Sequence, residues 1–187
     1  MSPLSHLASP AVSVGVRSSR AQDIQAITAT YAHHVLNGLG SFEETPPDAG
    51  EIAARRDTVL GRGLPHLIAT LDGRFAGFAY VAPYRARSAY RYTVEDSVYV
   101  AMDAQRMGVG WALLQQLIAE TTGQGYRQMV AAIGDSGNHG SIGLHTRAGF
   151  RTAGTLVAVG FKFGRWVDGV LMQRPLGRGA SAPPGGV

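Results

Sequence analysis

The chain contains no cysteine in its 187 residues. It therefore forms no disulfide bond and offers neither a thiolate nucleophile nor a thiolate metal ligand. No apolar run approaches the roughly 20 residues that a membrane-spanning helix needs, and the first residues are too polar for the apolar segment of a signal peptide. These absences favour a cytoplasmic globular protein without a membrane partner.

The composition is that of one soluble domain with a sizeable core. Hydrophobic residues make up 45% of the chain and charged residues 16%. The net charge of +4 and the pI near 9.8 would admit a nucleic-acid partner. However, the 17 Lys and Arg residues are spread along the chain, and a pocket for an anionic cofactor and an anionic substrate explains the same excess. We therefore expect no nucleic-acid partner.

The two ends of the chain differ from its middle. Residues 1–11 contain Ser, Pro and Ala without any period, and residues 177–187 are mostly Gly, Pro, Ala and Ser. We expect both ends to be disordered tails on either side of a single domain at residues 12–176.

Hydrophobic periodicity predicts alternating strands and helices along this domain. Asp72-Gly73 is a strong hairpin signal between two of the strands. The predicted order βααβββαβαββ implies an α/β fold with a mixed sheet. Strands are predicted at 12–16, 67–71, 75–84, 92–100, 126–133, 150–159 and 166–174, the last two around a turn at 160–164, and helices from a capping box at 19–22 to 37, from an Asp48 cap to about 60, over 108–122, and after a cap at Asn138 or Ser141.

The stretch 92–114 joins a strand to a helix through a turn that contains two glycines. The strand is rich in β-branched and aromatic residues but carries two acids, Glu95 and Asp96. Glycine is costly where a helix begins, yet it lets a ligand approach the backbone, where the first N–H groups favour an anion. The Q-x-x-G-x-G turn at 105–110 therefore suggests a pyrophosphate cradle. The alternative is an ordinary turn with glycines for tight packing, whereas Rossmann and Walker patterns are incomplete here.

The turn at 105–110 resembles the acyl-CoA cradle of the GNAT N-acetyltransferase superfamily. Further segments are similar to one branch, the phosphinothricin and methionine-sulfoximine N-acetyltransferases, in family order across residues 12–176. The resemblance implies a homodimer and a GNAT fold, which is a mixed, mostly antiparallel sheet of about six to seven strands with about four helices and a V-shaped split between the central strands. The matching segments are SFEETP at 41–46, YRARSAY at 84–90, TVEDSVYV at 93–100, MVAAI at 129–133, SIGLH at 141–145, GF at 149–150 and GFKFGRW at 160–166.

The resemblance also implies that acetyl-CoA is the co-substrate and that no metal takes part. Acetyl-CoA would lie in the split between the strands at 92–100 and 126–133, and Asn138 would contact its arm. Arg106 could add a charge contact to phosphate. The backbone of Val98, Tyr99 and Val100 would contact the pantetheine, and the pyrophosphate would sit on the amides of Arg106, Met107, Gly108, Val109, Gly110 and Trp111.

Amine acetylation requires a group that takes a proton, because an α-ammonium is mostly protonated at neutral pH. Glu95 is the family's candidate base; the alternative is an anchor for the substrate ammonium or a strand-bulge cap. Asp96 should point to the opposite face of the strand and is the more structural of the two acids. His145 stands where many superfamily members place a Tyr that protonates the leaving thiolate. The alternative for His145 is a packed ring bonded to backbone, and Tyr99 could also donate a proton.

The acceptor pocket is expected to bind a carboxylate. Arg85 and Arg87 precede the catalytic strand and could bind carboxylate or phosphinate in a two-pronged way, or else be solvated. The pair His33-His34 is rejected as a metal site, because adjacent helical residues diverge by about 100°. Other pocket residues would be Ala86, Tyr90, Glu95, Asp96, Ser97 and Phe42, the last from this subunit or a partner, while Lys162, Arg165 and Trp166 shape the pocket or only the hairpin and dimer contact.

These residues together predict an N-acetyltransferase of the α-amine of a small amino acid or analogue. Phosphinothricin, methionine sulfoximine and methionine sulfone are the leading acceptors, and transfer is direct within a ternary complex. The alternatives are acetylation of a polyamine, an aminoglycoside or a protein N-terminus, and a non-catalytic acyl-CoA-binding or nucleic-acid-binding module. Arg85 and Arg87 disfavour cationic acceptors, because like charges repel.

Overall fold

The computed structural model describes residues 13–184, which form one seven-stranded sheet and four α-helices. The α/β class and the predicted numbers of strands and helices are thus confirmed. The strands are β1 Val14–Ser18, β2 His66–Leu71, β3 Arg74–Pro83, β4 Thr93–Val100, β5 Gln128–Gly134, β6 Arg151–Lys162 and β7 Arg165–Pro175. The helices are α1 Ile24–Asn37, α2 Ala49–Gly61, α3 Val109–Gly123 and α4 His139–Arg147.

The strand order is β1-β2-β3-β4-β5-β7-β6, and β4 with β5 is the parallel pair in an otherwise antiparallel sheet. Their pairing begins at Thr93↔Gln128 and ends at Asp96↔Ala131. Both strands continue beyond that point without pairing to each other. This is the predicted V-shaped split, and Asp96 stands at its apex.

Helices cover both faces of the sheet. On one face, α3 buries Leu113, Leu114 and Leu117 at helical spacing against the sheet. On the other face, α1 packs with α2 against the strands and buries residues such as Ile27 and Val35. The predicted second helix is confirmed, because the Asp48 side chain accepts a hydrogen bond from the Glu51 amide at 2.8 Å.

The alternation of β4 assigns its residues to these two faces. Val94, Val98 and Val100 belong to the core beneath α3, whereas Tyr99 packs with the core beneath α1. Side chains two apart along a strand share a face. Asp96 therefore points toward α3 and α4, and Glu95 points toward α1 and α2.

The capping box predicted at 19–22 is wrong by one residue. The carboxylate of Asp23 accepts the Arg20 amide at 2.6 Å, and α1 follows a short 3₁₀ turn. The cap residue is Arg20, and the Ser19 hydroxyl instead accepts from Arg56 Nε at 2.8 Å. At α4 the choice between two predicted caps falls on Asn138, whose side chain accepts the Ser141 amide at 3.1 Å.

The last hairpin is longer than predicted. A bulge between Leu156 and Gly160 lets β6 resume its pairing with β7, so β6 extends to Lys162 and the turn predicted at 160–164 shortens to Phe163-Gly164. Beyond β7, Arg127 donates to the carbonyls of Ala182 and Pro183 at 2.9 and 2.8 Å.

Three of the sequence predictions concern residues that the structure does not cover. The predicted tail at residues 1–11, the strand position Val12 and residues 185–187 of the predicted tail at 177–187 lie outside the described residues. Within residues 13–184, no helix is long and apolar enough to cross a membrane.

Candidate active site

A groove of about 500 Å³ opens where β4 and β5 separate. Its size is typical of a small-molecule site. The groove is bounded by the ends of both strands, by the start of α3 and by α4. Its lining residues are His34, Gly40, Asp96, Ser97, Val98, Tyr99, Val100, Gln105, Arg106, Gly108, Gly110, Trp111, Ala131, Ala132, Ile133, Asn138, Gly140, Ser141, Leu144, His145 and Arg147.

The two glycines of the 105–110 turn have different physical roles. Gly108 is the residue before α3 and has φ +86°, and a Cβ there would meet nothing within 4 Å. Its backbone conformation is therefore what requires glycine. A Cβ on Gly110 would lie 3.3 Å from Leu144 Cδ2 and 3.4 Å from Val100 Cγ2. Tight packing, which was the alternative interpretation of the turn, thus explains the glycine at position 110. At Gly108 the space beside the backbone is open, so a ligand can approach the backbone there.

The first turn of α3 offers uncapped amides beside two cations. Within the described chain, no side chain caps α3, so its first N–H groups are available to an anion. Arg106 lines the groove, as does Arg147, whose guanidinium lies 4.1 Å from the centre of the Trp111 ring. Sequence reasoning missed Arg147, because a cation in the last turn of a helix is ordinary.

Not every predicted cofactor contact brings a side chain to the groove. Met107 is exposed and does not line the groove, whereas Val109 is buried in the core beneath α3 and could contribute only its backbone. Asn138 lines the groove, although its side chain also caps α4. His34, rejected as a metal ligand, lines it too and donates from Nε2 to the Val100 carbonyl at 2.9 Å.

Beyond the apex, the end of β4 is paired on one side. Val98, Tyr99 and Val100 pair with β3, but the pairing of β4 with β5 ends at Asp96. The edge of β4 facing β5 is therefore open to the groove over these three residues, where the pantetheine contacts were predicted. The sequence could not show this, because the end of a pairing depends on both strands.

A buried histidine–carboxylate pair occupies the apex. His145 Nε2 lies 2.9 Å from Asp96 Oδ2, and the two side chains are 4% and 1% exposed. His145 Nδ1 lies 2.8 Å from the Ser141 carbonyl. Burial alone would lower the pKa of His145, but the hydrogen bond and the charge of Asp96 outweigh it, so this pKa is raised.

Glu95 lies on the opposite face of β4 and is half-buried. Burial raises its pKa, and the charge of Asp96 raises it further, while Arg85 opposes the shift. On the same face, the ring centres of Tyr31 and Phe78 lie 5.0 and 5.1 Å from that of Tyr99. Burial raises the pKa of Tyr99 well above its ordinary value, so its phenol releases a proton less readily than usual.

The loop before β4 carries the predicted carboxylate ligands. Arg85, Ala86 and Arg87 are exposed, and neither arginine makes a salt bridge with a residue of 13–184. The Arg85 guanidinium lies 5.1 and 5.8 Å from the ring centres of Tyr84 and Tyr90, which orients it without neutralising it. Residues 85–87 do not line the groove. They lie on the Glu95 side of β4, where the charge of Arg85 lowers the pKa of the Glu95 carboxyl.

Phe42 sits on a loop that its own chain holds firmly. The buried Lys162 ammonium donates to the carbonyls of Gly38 and Ser41 at 2.9 and 2.7 Å. A Cβ added to Gly160 would lie 3.0 Å from the Phe42 ring, so the ring packs closely on β6 and is still 45% exposed. Lys162 therefore anchors this loop.

The other two hairpin residues considered for the pocket lie at the surface. Arg165 pairs with Asp135 at 3.0 Å, and Trp166 is 65% exposed. Across residues 13–184, no group of three or more His, Asp or Glu side chains is placed to hold a metal ion.

The model of the Acetyltransferase (GNAT) family matches residues 29–150, well over half of the chain. The groove, the uncapped start of α3 and the split sheet all fall within this range or at its edge. The chain therefore belongs to the GNAT family of acetyltransferases, and it is an N-acetyltransferase enzyme.

Individual relatives show similarity to one branch of this family. The chain is 57% identical to a phosphinothricin N-acetyltransferase of Alcaligenes faecalis, over 90% of this chain and 86% of the relative. It is 42% identical to an L-methionine sulfoximine/L-methionine sulfone acetyltransferase of Pseudomonas aeruginosa, over 92% of this chain and 100% of the relative. The crystal structure of a phosphinothricin acetyltransferase from Sinorhizobium meliloti in complex with AcCoA has a TM-score of 0.88 and 43% identity, covering 91% of this chain and 92% of that one. The predicted resemblance to this branch is confirmed.

Proposed function

We propose that the protein transfers an acetyl group from acetyl-CoA to the α-amine of a small amino acid or analogue. Phosphinothricin, methionine sulfoximine and methionine sulfone are the leading acceptors. The names of the relatives that are 57% and 42% identical support this choice. The observation that carries the proposal is the split between β4 and β5, which has titratable groups on each face of its apex and a helix start at its outer end.

The groove suits a thioester cofactor with phosphate groups. The amides at the start of α3, with Arg106 and Arg147, would hold the pyrophosphate by charge-assisted hydrogen bonds. The open edge of β4 at Val98, Tyr99 and Val100 would pair with the amides of the pantetheine arm. This arrangement would deliver the acetyl group to the apex, beside Asp96.

Glu95 is the proposed base on the acceptor face. A carboxylate with a raised pKa is better matched to an ammonium than an ordinary one, and it must be ionised to act. Glu95 takes the ammonium proton, directly or through water, and passes it to solvent. The amine nitrogen then forms the N–C bond and gives up its second proton, again through Glu95 to solvent, which leaves a neutral amide. As the C–S bond breaks, the leaving thiolate takes a proton from the other face of the apex. The proposed transfer is direct within a ternary complex, and the cysteine-free chain cannot form an acetyl-cysteine intermediate.

The arginines of the 84–90 loop would select the acceptor. Arg85 and Arg87 have no acidic partner among residues 13–184, so either can bind a carboxylate or phosphinate in a bidentate way. Phe42 and Tyr90 would form the walls of the pocket, with Ala86 and Ser97 between them. A polyamine or an aminoglycoside would instead bring a positive charge to these arginines.

We further propose that two copies associate through the β6–β7 hairpin. β6 is an edge strand of the sheet, and the β6–β7 hairpin carries exposed apolar side chains. Exposed apolar side chains on an edge strand indicate an interaction surface. Light scattering should report twice the mass of the 19.7 kDa chain, and Val157→Glu should reduce it; a single-chain mass for the wild type would contradict the dimer. The exposed apolar residues are Leu156, Val157, Val159, Phe161, Phe163 and Trp166. The cytoplasmic location stays a prediction from the sequence.

The function is tested by following CoA release with a thiol reagent across a panel of amines. The protein contributes no background, because it has no cysteine. The panel holds phosphinothricin, methionine sulfoximine, methionine sulfone, common amino acids, spermidine, an aminoglycoside and a short peptide. Turnover with the first three is expected. Turnover with a polycation alone would contradict the proposed acceptor, and acetyl-CoA binding without turnover of any amine would favour a binding module.

Variants assign the roles. Glu95→Gln should lower kcat by about 10²-fold or more while acetyl-CoA still binds. Glu120→Gln is the matched control, because this carboxylate lies on α3 and contacts Gln116, away from the groove. Arg85→Ala and Arg87→Ala should raise the KM of the acceptor. Equal kcat in Glu95→Gln and wild type would remove Glu95 from the role of base.

A further inference from the structure

Both ring nitrogens of His145 face hydrogen-bond acceptors. Nδ1 lies 2.8 Å from the Ser141 carbonyl oxygen, which can only accept, so Nδ1 must carry a proton. The Ser141 hydroxyl is more distant, at 3.5 Å. Nε2 lies 2.9 Å from Asp96 Oδ2. A carboxylate also only accepts, so an ionised Asp96 requires a second proton, on Nε2.

The pair therefore holds one proton more than a neutral imidazole and a carboxylate would hold. If that proton were lost, the Nε2 lone pair would face the carboxylate at the same 2.9 Å. Both side chains are almost fully buried, at 4% and 1% exposure, so water cannot relieve such a contact. The other carboxylate oxygen, Asp96 Oδ1, is buried and has no partner among the described residues. The bond to His145 is thus the hydrogen bond that the structure gives this carboxylate.

We propose that Asp96 is a positioning residue that keeps His145 as a doubly protonated imidazolium at the apex of the split, so that His145 acts as the proton donor on the groove face. This inference rests on the proposed function and decides between the two roles, proton donor or packed structural ring, that the sequence left open for His145. As the C–S bond breaks, the Nε2 proton would pass from between His145 and Asp96 Oδ2 to the leaving thiolate. The deprotonated pair is the unfavourable contact described above, so it would regain a proton through the groove, which both residues line, before the next turnover. Asp96 prepares the donor without itself transferring the proton.

The arrangement separates the donor from the base. Glu95 faces α1 and α2, while His145 reaches Asp96 from α4, so the two groups lie on opposite faces of β4. Tyr99, the other candidate donor, is held on the Glu95 face by aromatic packing against Tyr31. Its phenol is also a poor match for a thiolate, since burial raises its pKa well above the ordinary 10, whereas a thiol ionises near 8.5.

Other titratable and charged groups lie near the pair. Glu95 is the adjacent residue on β4, and its pKa responds to the charge of Asp96. His34, Arg106 and Arg147 line the groove from α1, the turn before α3, and α4. The ring of Phe150 packs edge-on at 5.0 Å from that of His145 and carries no charge.

The first test measures His145 in the protein without any ligand. Nitrogen NMR of the imidazole ring, assigned through the loss of its signals in His145→Gln, reports how many ring nitrogens carry protons. We expect both to be protonated at pH 7, with a midpoint above the ordinary 6.5. A ring with one protonated nitrogen at pH 7 would overturn the proposal, and this measurement needs no variant of Asp96.

The second test removes the charge but keeps the shape. In Asp96→Asn the amide oxygen can still accept from Nε2, so a merely structural role would be rescued. We expect the His145 midpoint to move to lower pH, because the charge of Asp96 no longer opposes burial and only the bond to the Ser141 carbonyl still raises this pKa. An unchanged midpoint in a variant with wild-type thermal unfolding would overturn the proposal.

Activity adds an independent signature. In Asp96→Asn both limbs of the kcat profile should shift to lower pH, because the charge of Asp96 raises the pKa values of both Glu95 and His145. A shift of the acid limb alone would place Asp96 with Glu95 and contradict the role at His145. The outcomes are separable. If His145 is an imidazolium but the protein acetylates no amine, only the proposed function is contradicted. If His145 is a neutral ring in an active enzyme, only this inference is contradicted.

Discussion

Lys162→Met tests whether one buried ammonium holds the loop that carries Phe42. Lys162 is 2% exposed, and its Nζ donates to the carbonyls of Gly38 and Ser41 at 2.9 and 2.7 Å. Methionine keeps most of the apolar stem but leaves both carbonyls without this donor. The change therefore removes hydrogen bonds while it conserves packing volume.

The expected loss follows from these two bonds. A buried acceptor left unsatisfied costs about 1–3 kcal/mol, so two carbonyls cost about 2–6 kcal/mol. Burial lowers the pKa of Lys162, which means that the charged ammonium is itself destabilised in the folded protein. Removing this buried charge therefore offsets part of the loss from the two carbonyls. We expect the free energy of unfolding to fall by about 2–4 kcal/mol.

Urea unfolding with linear extrapolation measures this difference. The matched control is Arg165→Met, which removes an exposed cation of the same hairpin and its 3.0 Å pair with Asp135; exposed pairs contribute about 0–1 kcal/mol. Hydrogen exchange should be faster at residues 38–44 in Lys162→Met and unchanged in the control. If both variants lost the same small free energy, Lys162 would not be the anchor that its contacts indicate.

Three further predictions concern the backbone at α3, the pH dependence and a helix cap. Gly108→Ala should destabilise the fold by about 1–2 kcal/mol and weaken acetyl-CoA binding, since φ is +86° there. The control Gly143→Ala, inside α4 with nothing within 4 Å of a Cβ, should be neutral or stabilising. Urea unfolding and titration calorimetry measure both variants, and equal effects would refute the backbone argument. The acid limb of kcat/KM should lie above the ordinary 4.5 of a Glu, because the base must be ionised and the pKa of Glu95 is raised by burial first and by Asp96 second; a limb at or below 4.5 would exclude Glu95 as the base. Asp48→Ala should cost about 0.5–2 kcal/mol by removing the α2 cap, and no change in urea unfolding would show that the 2.8 Å bond to Glu51 adds nothing.

The sequence was sufficient for features that depend on neighbouring residues. The period of α3, the Asp48 cap and the hairpin at Asp72-Gly73 are local, and each was predicted from residues a few positions apart. The predicted capping box missed by one position, because Asp23 rather than Gln22 accepts the amide of the cap residue. Resemblance to a family extended the prediction to the split, which no local pattern specifies.

The parts of the site that the sequence did not reveal are contacts between distant residues. Asp96 and His145 are 49 positions apart, and Lys162 reaches a carbonyl 121 positions away. Arg147 lines the groove from α4, and its guanidinium lies over the ring of Trp111 from α3. Such contacts are set by how helices lie on the sheet, and residue type alone left the role of each open.

The division of labour across the split follows from the alternation of β4. Val94 is fully buried beneath α3, and this fixes which face every other residue of the strand occupies. A slip of one residue would turn Asp96 away from His145 and expose the valines, so the hydrophobic core enforces the positions of both acids. Pairing with β5 ends at Asp96, so the same register places the pair where the backbone first opens. The proposed base Glu95 and the partner of the proposed acid, Asp96, therefore lie on opposite faces of one strand because the valines beside them must be buried.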